Sequence, residues 1–221
     1  MSEQFSNQEK RDVSGFSALV FRGMGRIDLL QGDHEELVIE AQPEIRSRIK
    51  TEVREGTLYI DYDEDWRDWT GIRSLSGDKI VFKLTMREIN AISVSGVGSL
   101  DTPRIETSSL TLAITGPGLL TVGTLKTSTL AVNLSGVGAI DLAGQTDEMT
   151  VTLSGAGSFK AARLEAGKAS VRLSGVGTVS VWAKNSLETS ISGAGVIEYY
   201  GSPQLSRSNT GLGVLKFMGS R

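Results

Sequence analysis

Apolar and polar residues alternate with a period of two through most of the chain. Leu110, Leu112 and Ile114 set the pattern, which returns as Leu130, Val132 and Leu134, as Met149, Val151 and Leu153, and as Ala169, Val171 and Leu173. Alternation of this kind places one set of side chains on one face of an extended backbone, so these segments are half-buried strands. A second set keeps step with the first: Leu100, Leu120, Ile140, Phe159, Val179, Ile197 and Leu215. No segment between the two sets has the 3.6-residue spacing or the length of a stable helix, and an all-β chain is predicted.

Between the two apolar sets stands a recurring tetrapeptide. It occurs as Ser95-Gly96-Val97-Gly98, Thr115-Gly116-Pro117-Gly118, Ser135-Gly136-Val137-Gly138, Ser154-Gly155-Ala156-Gly157, Ser174-Gly175-Val176-Gly177, Ser192-Gly193-Ala194-Gly195 and Thr210-Gly211-Leu212-Gly213. Successive copies are 20, 20, 19, 20, 18 and 18 residues apart. A fixed period of this size marks a solenoid, and without helices the leucine-rich, ankyrin and tetratricopeptide designs fit poorly. Propeller blades need roughly 40 residues, twice the period. The remaining solution is a right-handed parallel β-helix with one coil per repeat, advancing ~4.8 Å along its axis each time.

Each repeat then reads as a strand, an S/T-G-x-G corner, a short strand and a variable turn such as "DTPRIETSS" or "LAGQTDE". Glycine suits a sharp corner because it allows positive φ or a close backbone approach. The preceding hydroxyl is expected to bond nearby backbone and its stacked copies, and the residue between the glycines is expected to pack inward.

Residues 14–90 are strand-rich but lack the regular period. "FSALVFRGMGRIDLLQG" holds Arg22-Gly23-Met24-Gly25 with Ile27 two places on, a degenerate first corner. A turn at Arg54-Glu55-Gly56 separates further strands, and "DKIVFKLTM" leads into the regular coils. Residues 1–13 are expected to be a flexible lead-in. Residues 14–219 are expected to form a single β-helical domain, with irregular, wider N-terminal coils and a cap over 14–90 and regular coils over 91–219.

The 26 glycines are about 12% of the chain, against a usual ~7%, and they sit largely at these corners. With 23 basic and 26 acidic residues and no Lys/Arg-dense run, a nucleic-acid partner is not expected. The absence of cysteine excludes disulfides and thiolate chemistry. The apolar runs are far shorter than the ~20 residues of a spanning helix. The opening "MSEQFSNQEKRDVSG" lacks a signal-peptide pattern, which leaves a cytoplasmic protein or a mature exported form.

The S-G-x-G coils, "IKTEVREGTLYI", "INAISVSGVGSL" and the closing "IEYYGSPQLSRSNTGLGVLKFMG" resemble the head GIN domain family, called putative auto-transporter adhesins, across roughly residues 14–219. The resemblance implies a bacterial, export-associated right-handed parallel β-helix that is secreted, periplasmic or on the cell surface. It carries over no catalytic residue. Thr115-Gly116-Pro117 departs from the family's usual serine and small aliphatic.

One stretch breaks the repeat: "DYDEDWRDWTGIRSLSGDK", residues 61–79. Asp63 and Asp65 at alternate positions could supply oxygen ligands to Ca²⁺, and Trp66 and Trp69 could stack on a sugar ring. The plainer reading is a loop covering an open coil edge or a subunit contact, and no EF-hand pattern is present. The lone His34, in "QGDHEE", reads as a solvated turn residue, and no nucleophile elbow accompanies it. Asp101, Asp141, Asp147 and Glu148 fall on different turns and make no catalytic cluster. Trp182, Tyr199 and Tyr200 lie on neighbouring late coils, with Tyr199 in phase with the inward set.

These readings point to a binding or structural scaffold of the cell envelope, without catalytic residues, metal or cofactor. Its candidate ligand-binding residues are Trp66, Trp69, Asp63 and Asp65, and its partners a glycan or a cell-surface protein. The open coil ends make a homo-oligomer reasonable. The alternative is a polysaccharide-active enzyme with its site near Trp66 and Trp69.

Overall fold

The computed structural model describes residues 8–63 and 80–220. In chain order the elements are β1 (Gln8–Arg11), β2 (Ala18–Phe21), β3 (Met24–Gln31), β4 (Glu36–Glu40), a single helical turn α1 (Pro43–Arg46), β5 (Ile49–Arg54), β6 (Thr57–Tyr62), β7 (Val81–Met86) and β8 (Ala91–Val94). Then come five long strands, β9 (Val97–Ile114), β10 (Pro117–Leu134), β11 (Val137–Leu153), β12 (Ala156–Leu173) and β13 (Val176–Ile191). The last rung and a half comprise β14 (Ala194–Tyr200), β15 (Gln204–Asn209) and β16 (Val214–Phe217).

The long strands stack in parallel, β9 through β14, with like residues of successive repeats paired: Leu100, Leu120, Ile140, Phe159, Val179 and Ile197 form one buried column. Leu112, Val132, Val151 and Val171 form another. This is a β-solenoid, and its interior is one continuous cluster running from Val13 to Ile197.

Burial along β10 shows how one rung turns. The buried positions are Leu120, Val122, Leu125, Thr127, Leu130, Val132 and Leu134. They advance by two within a face and by three at two places, and each step of three re-aims the backbone without breaking the ladder. The third corner is the S/T-G-x-G motif. A rung is therefore three-sided, and the segments expected to be variable turns are strand that bends at two further corners. In β11 the rung is one residue shorter, and Gly144, at φ +127°, takes the place paired with Leu125.

Close approach, more than positive φ, explains the corner glycines. A Cβ on Gly175 would lie 2.0 Å from the Gly155 carbonyl oxygen, and one on Gly136 would lie 2.4 Å from that of Gly116. The first glycine of the motif joins its neighbour in a shared bond: Ser135 N and Gly136 N both donate to Ile114 O, at 2.9 and 3.1 Å. Ser95 Oγ donates to Phe21 O at 3.3 Å, but no hydroxyl ladder climbs the corner among the described residues.

The residue between the glycines does not pack inward. Val97, Val137, Val176 and Leu212 are 50, 64, 61 and 89% exposed. Counting by twos from Leu100 or back from Ile140 puts the glycines on the inward side and this residue outside, and no parity slip occurs at this corner to reverse that.

The degenerate first corner is real: Met24–Asp28 pair with Val97–Asp101, so Gly25 lies under Gly98. Beyond Asp28, β3 leaves β9 and follows β7. β2 stacks in parallel between β6 and β8, and antiparallel pairs then join this end of the stack. β4 runs antiparallel to β7, and β1 antiparallel to β4, so residues 8–11 of the expected flexible lead-in are part of the sheet. β5 and β6 form an antiparallel hairpin through Glu55 (φ 50°) and Gly56 (φ 72°). Tyr62, at its end, is half-buried over Gly23 and donates its hydroxyl to Met24 O at 2.7 Å.

Candidate functional site

The short face between the two three-residue corners carries a groove of about 650 Å³ that crosses successive rungs. Its floor is set by register. Glu106, Lys126, Gln145 and Glu165 pair in sequence from β9 to β12, so their side chains rise in one outward column at ~4.8 Å steps. Lys126 Nζ meets Glu106 Oε1 at 2.9 Å, and Lys184 Nζ meets Glu165 Oε1 at 3.0 Å. Arg104 also reaches Glu106, at 2.6 Å. The Glu106 carboxyl is held below the usual carboxylate range, first by its hydrogen bond from Lys126 and then by that from Arg104. These are solvated pairs, whose value lies in ordering the column more than in stability.

The groove wall is a corner built on threonine. Thr127 Oγ1 donates to Thr129 O at 3.1 Å, and Thr146 Oγ1 to Glu148 O at 3.1 Å, with Thr107 on the rung below bonded to Ser109 O. Each hydroxyl bridges the corner to the carbonyl two residues on. Ser108, Ser128, Asp147 and Asn185 stand outside it and edge the groove with neutral donors and acceptors and one carboxylate.

Aromatic surface lies at the late end. Val181 and Ala183 are buried, so Trp182 between them faces outward, in register with Glu165 on one side and Tyr200 on the other. Both rings are half-buried. Trp182 lies against the next rung, its Cδ1 3.2 Å from where a Cβ on Gly201 would stand. Tyr199 turns the other way, packing on the core and against Phe217 at 5.4 Å between ring centres. The surface therefore combines a polar column with two half-buried aromatic side chains at its late end, a pairing that suits sugar rings.

Of the four residues picked out in the sequence as a binding loop, Trp66, Trp69 and Asp65 lie outside the described residues. Asp63 closes the β5–β6 ladder: its N–H donates to Arg48 O at 3.0 Å and its carboxylate takes Lys50 Nζ at 2.5 Å. It stands at the first corner of the solenoid, while Trp182 belongs to β13, the fifth of the long strands. His34 is exposed and bonded to its neighbour Asp33 at 2.7 Å. Among the described residues no group of three or more His, Asp or Glu side chains is placed to hold a metal ion. The groove itself escaped sequence reasoning, although Thr107, Thr127 and Thr146 recur at the solenoid period.

Comparison with known proteins agrees with this architecture. The family model described as "putative auto-transporter adhesin, head GIN domain" matches residues 15–203. No curated protein matches the chain. Among solved structures, a putative adhesin from Bacteroides fragilis is 26% identical, with a TM-score of 0.88 and 96% of each chain covered. A putative lipid binding protein from Parabacteroides distasonis is 21% identical, with a TM-score of 0.72 over 97% of this chain and 98% of that one. A putative adhesin from Parabacteroides merdae is 17% identical at a TM-score of 0.70, covering 96% and 95%. The last two likenesses concern the fold.

Proposed function

The chain belongs to the head GIN domain family, and we propose that it is a non-catalytic, adhesin-like scaffold of the bacterial cell surface that binds an extended glycan along the Glu106–Lys184 groove. The observation that carries this reading is the joining of two features in one track: a column of polar side chains repeating at the rung spacing, and the outward Trp182 and Tyr200 beside its late end. A polymer laid along the axis would meet hydrogen-bonding groups at every step and a stacking surface at one end. Many weak, evenly spaced contacts suit adhesion, in which strength comes from repetition. The name of the Bacteroides fragilis neighbour supports the adhesin part of the reading, and the polar lining favours sugar as the ligand. No helix among the described residues is long and apolar enough to cross a membrane.

The test is a glycan array with the whole chain, read together with reducing-sugar release on every glycan that binds. Binding without turnover, weakened about tenfold or more by Trp182→Ala, supports the groove. Binding untouched by Trp182→Ala but lost in Trp66→Ala/Trp69→Ala moves the site to the 61–79 segment. Turnover removes the scaffold reading.

A further inference from the structure

Six of the exposed large aliphatic side chains fall in a single stripe: Val97, Leu119, Val137, Val176, Leu212 and Val214. All belong to two adjacent outward columns at the S/T-G-x-G corner, the residue between the glycines and the residue two places later. Between them the two columns also carry Ser99, Pro117, Ala139, Ala156, Ser158, Thr178, Ala194 and Val196 and not one charged residue over seven rungs. The stripe runs the length of the regular stack, ~29 Å at ~4.8 Å per step, and it is convex because it rides on a corner. An uncharged, mostly apolar stripe of this length stands at the upper end of what a monomer exposes, where such patches are often functional.

We infer that this ridge is the interface of an antiparallel two-fold dimer, in which a second copy of the chain packs its own ridge against it. Three features select a second copy as the occupant. The first is area: six side chains at half exposure or more, with the alanines and proline between them, offer on the order of 600 Å² per copy, near the ~800 Å² per partner of a stable interface. The second is spacing, since a row of teeth at the rung interval is matched in step only by another solenoid. From Val137 onward the central column alternates large and small, Val137, Ala156, Val176, Ala194, Leu212, which leaves a notch beside each tooth.

The third is charge. The next outward column reads Asp101, Thr121, Asp141, Lys160, Ser180, Glu198, Lys216. Two of its acids stand on N-terminal rungs, Lys160 stands at the midpoint and Lys216 at the C-terminal end, with Glu198 between them bonded by Ser180 Oγ at 2.8 Å. A two-fold axis across the ridge near Ala156 sets this column against its own reverse. With the axis at Ala156, Asp101 of one copy faces Lys216 of the other at each end of the ridge, Thr121 faces Glu198, Asp141 faces Ser180, and Lys160 lies on the axis, an isologous and closed arrangement with one opposite-charge pair at either end. The same column, with three acids and two lysines, gives no basic rim for an anionic membrane. The dimer does not depend on the glycan groove, which opens on another face of the rung.

Sedimentation velocity on the full chain tests the proposal. A dimer is expected, weakened at least tenfold by Val137→Asp or Val176→Asp, both on exposed positions, with an unchanged far-UV circular dichroism spectrum showing that the variants fold. Because the chain has no cysteine, single introduced thiols report orientation. Ala156→Cys, within about a rung of the axis, is expected to give a disulfide dimer, and Val97→Cys alone is not, whereas Val97→Cys mixed with Leu212→Cys does. A monomer at ~1 mM, a dimer indifferent to both aspartates, self-linking of Val97→Cys, or a monomer whose ridge instead floats with phosphatidylcholine vesicles would each overturn it.

Discussion

Replacing Gly175 with alanine isolates the physical reason for the recurring corner. The new Cβ would stand 2.0 Å from Gly155 O and 2.6 Å from both the carbonyl carbon and oxygen of Ser154, more than 0.5 Å inside ordinary contact in every case. All three atoms are backbone, and the corner around them is bonded: Ser174 N and Gly175 N donate to Leu153 O at 2.9 and 3.1 Å, and Val176 N donates to Gly155 O at 2.9 Å. Relief requires lifting the corner off the rung below. That stretches three hydrogen bonds worth about 1 kcal/mol each, and overpacking adds roughly 1–3 kcal/mol where the lift is incomplete. A partial lift gives a combined loss of about 3–5 kcal/mol, a large part of a typical 5–15 kcal/mol stability. At roughly 2–4 °C per kcal/mol for a chain of this size, the melting temperature falls by about 10 °C. Gly56→Ala is the control, because nothing lies within 4 Å of its Cβ and only its φ of +72° opposes the change. Its cost is about 1–2 kcal/mol. Guanidinium unfolding of both variants, followed by far-UV circular dichroism, decides the matter. A Gly175→Ala loss no larger than that of Gly56→Ala would refute close approach as the cause.

Two buried threonines should respond in opposite directions to the same change. Thr146→Val removes the bond to Glu148 O and should cost about 1 kcal/mol, whereas Thr189 Oγ1 is buried without a hydrogen-bond partner in the column that holds Leu112, Val132, Val151 and Val171 on the preceding rungs, and Thr189→Val should raise stability by about 1 kcal/mol in the same denaturation assay. Tyr62 supplies a pH dependence: burial pushes its hydroxyl above the ordinary tyrosine range, so the unfolded chain loses that proton first. Its contribution is therefore complete below pH ~10 and lost as pH rises above it, and ultraviolet titration of the four tyrosines should show one that ionises only as the fold opens, a behaviour absent in Tyr62→Phe.

The solenoid was legible because its repeat is redundant. Corner glycines and two inward columns keep one period, so Leu100, Leu120 and Ile140 fall into register from spacing alone. The orientation of Val97 and its copies was also encoded, since parity from Leu100 places it outside, yet its apolar character argued for burial and that argument was wrong. Apolarity reports a preference for leaving water, and a second surface can satisfy it as well as a core can. The other two corners were hidden for a different reason. They turn through a three-residue step at Pro103 and Arg104 or at Ser108 and Ser109; Thr107, Thr127 and Thr146 recur beside the second, but threonine is itself a strand former and does not announce a bend as glycine does. The antiparallel strands at the N-terminal end were obscured because β4 and β7 carry the same alternation that a parallel coil would carry. Direction leaves no trace in a period of two.

A rung of this kind divides its side chains into two sets with separate duties. Inward residues touch the rungs above and below and carry the stability, whereas outward residues touch mainly their own column and water. Changes on the outside therefore leave the stack almost untouched, so the ridge at Val137 and the groove at Glu106 can be altered independently of the fold and of each other. The two surfaces share one axis and one step. If two copies join along the ridge in opposite directions, their grooves lie on the outer faces of the pair and run antiparallel, and a single dimer presents two binding tracks. Multivalency of that order turns weak, repeated contacts into firm attachment without demanding a deep pocket, which the shallow, solvated groove does not offer.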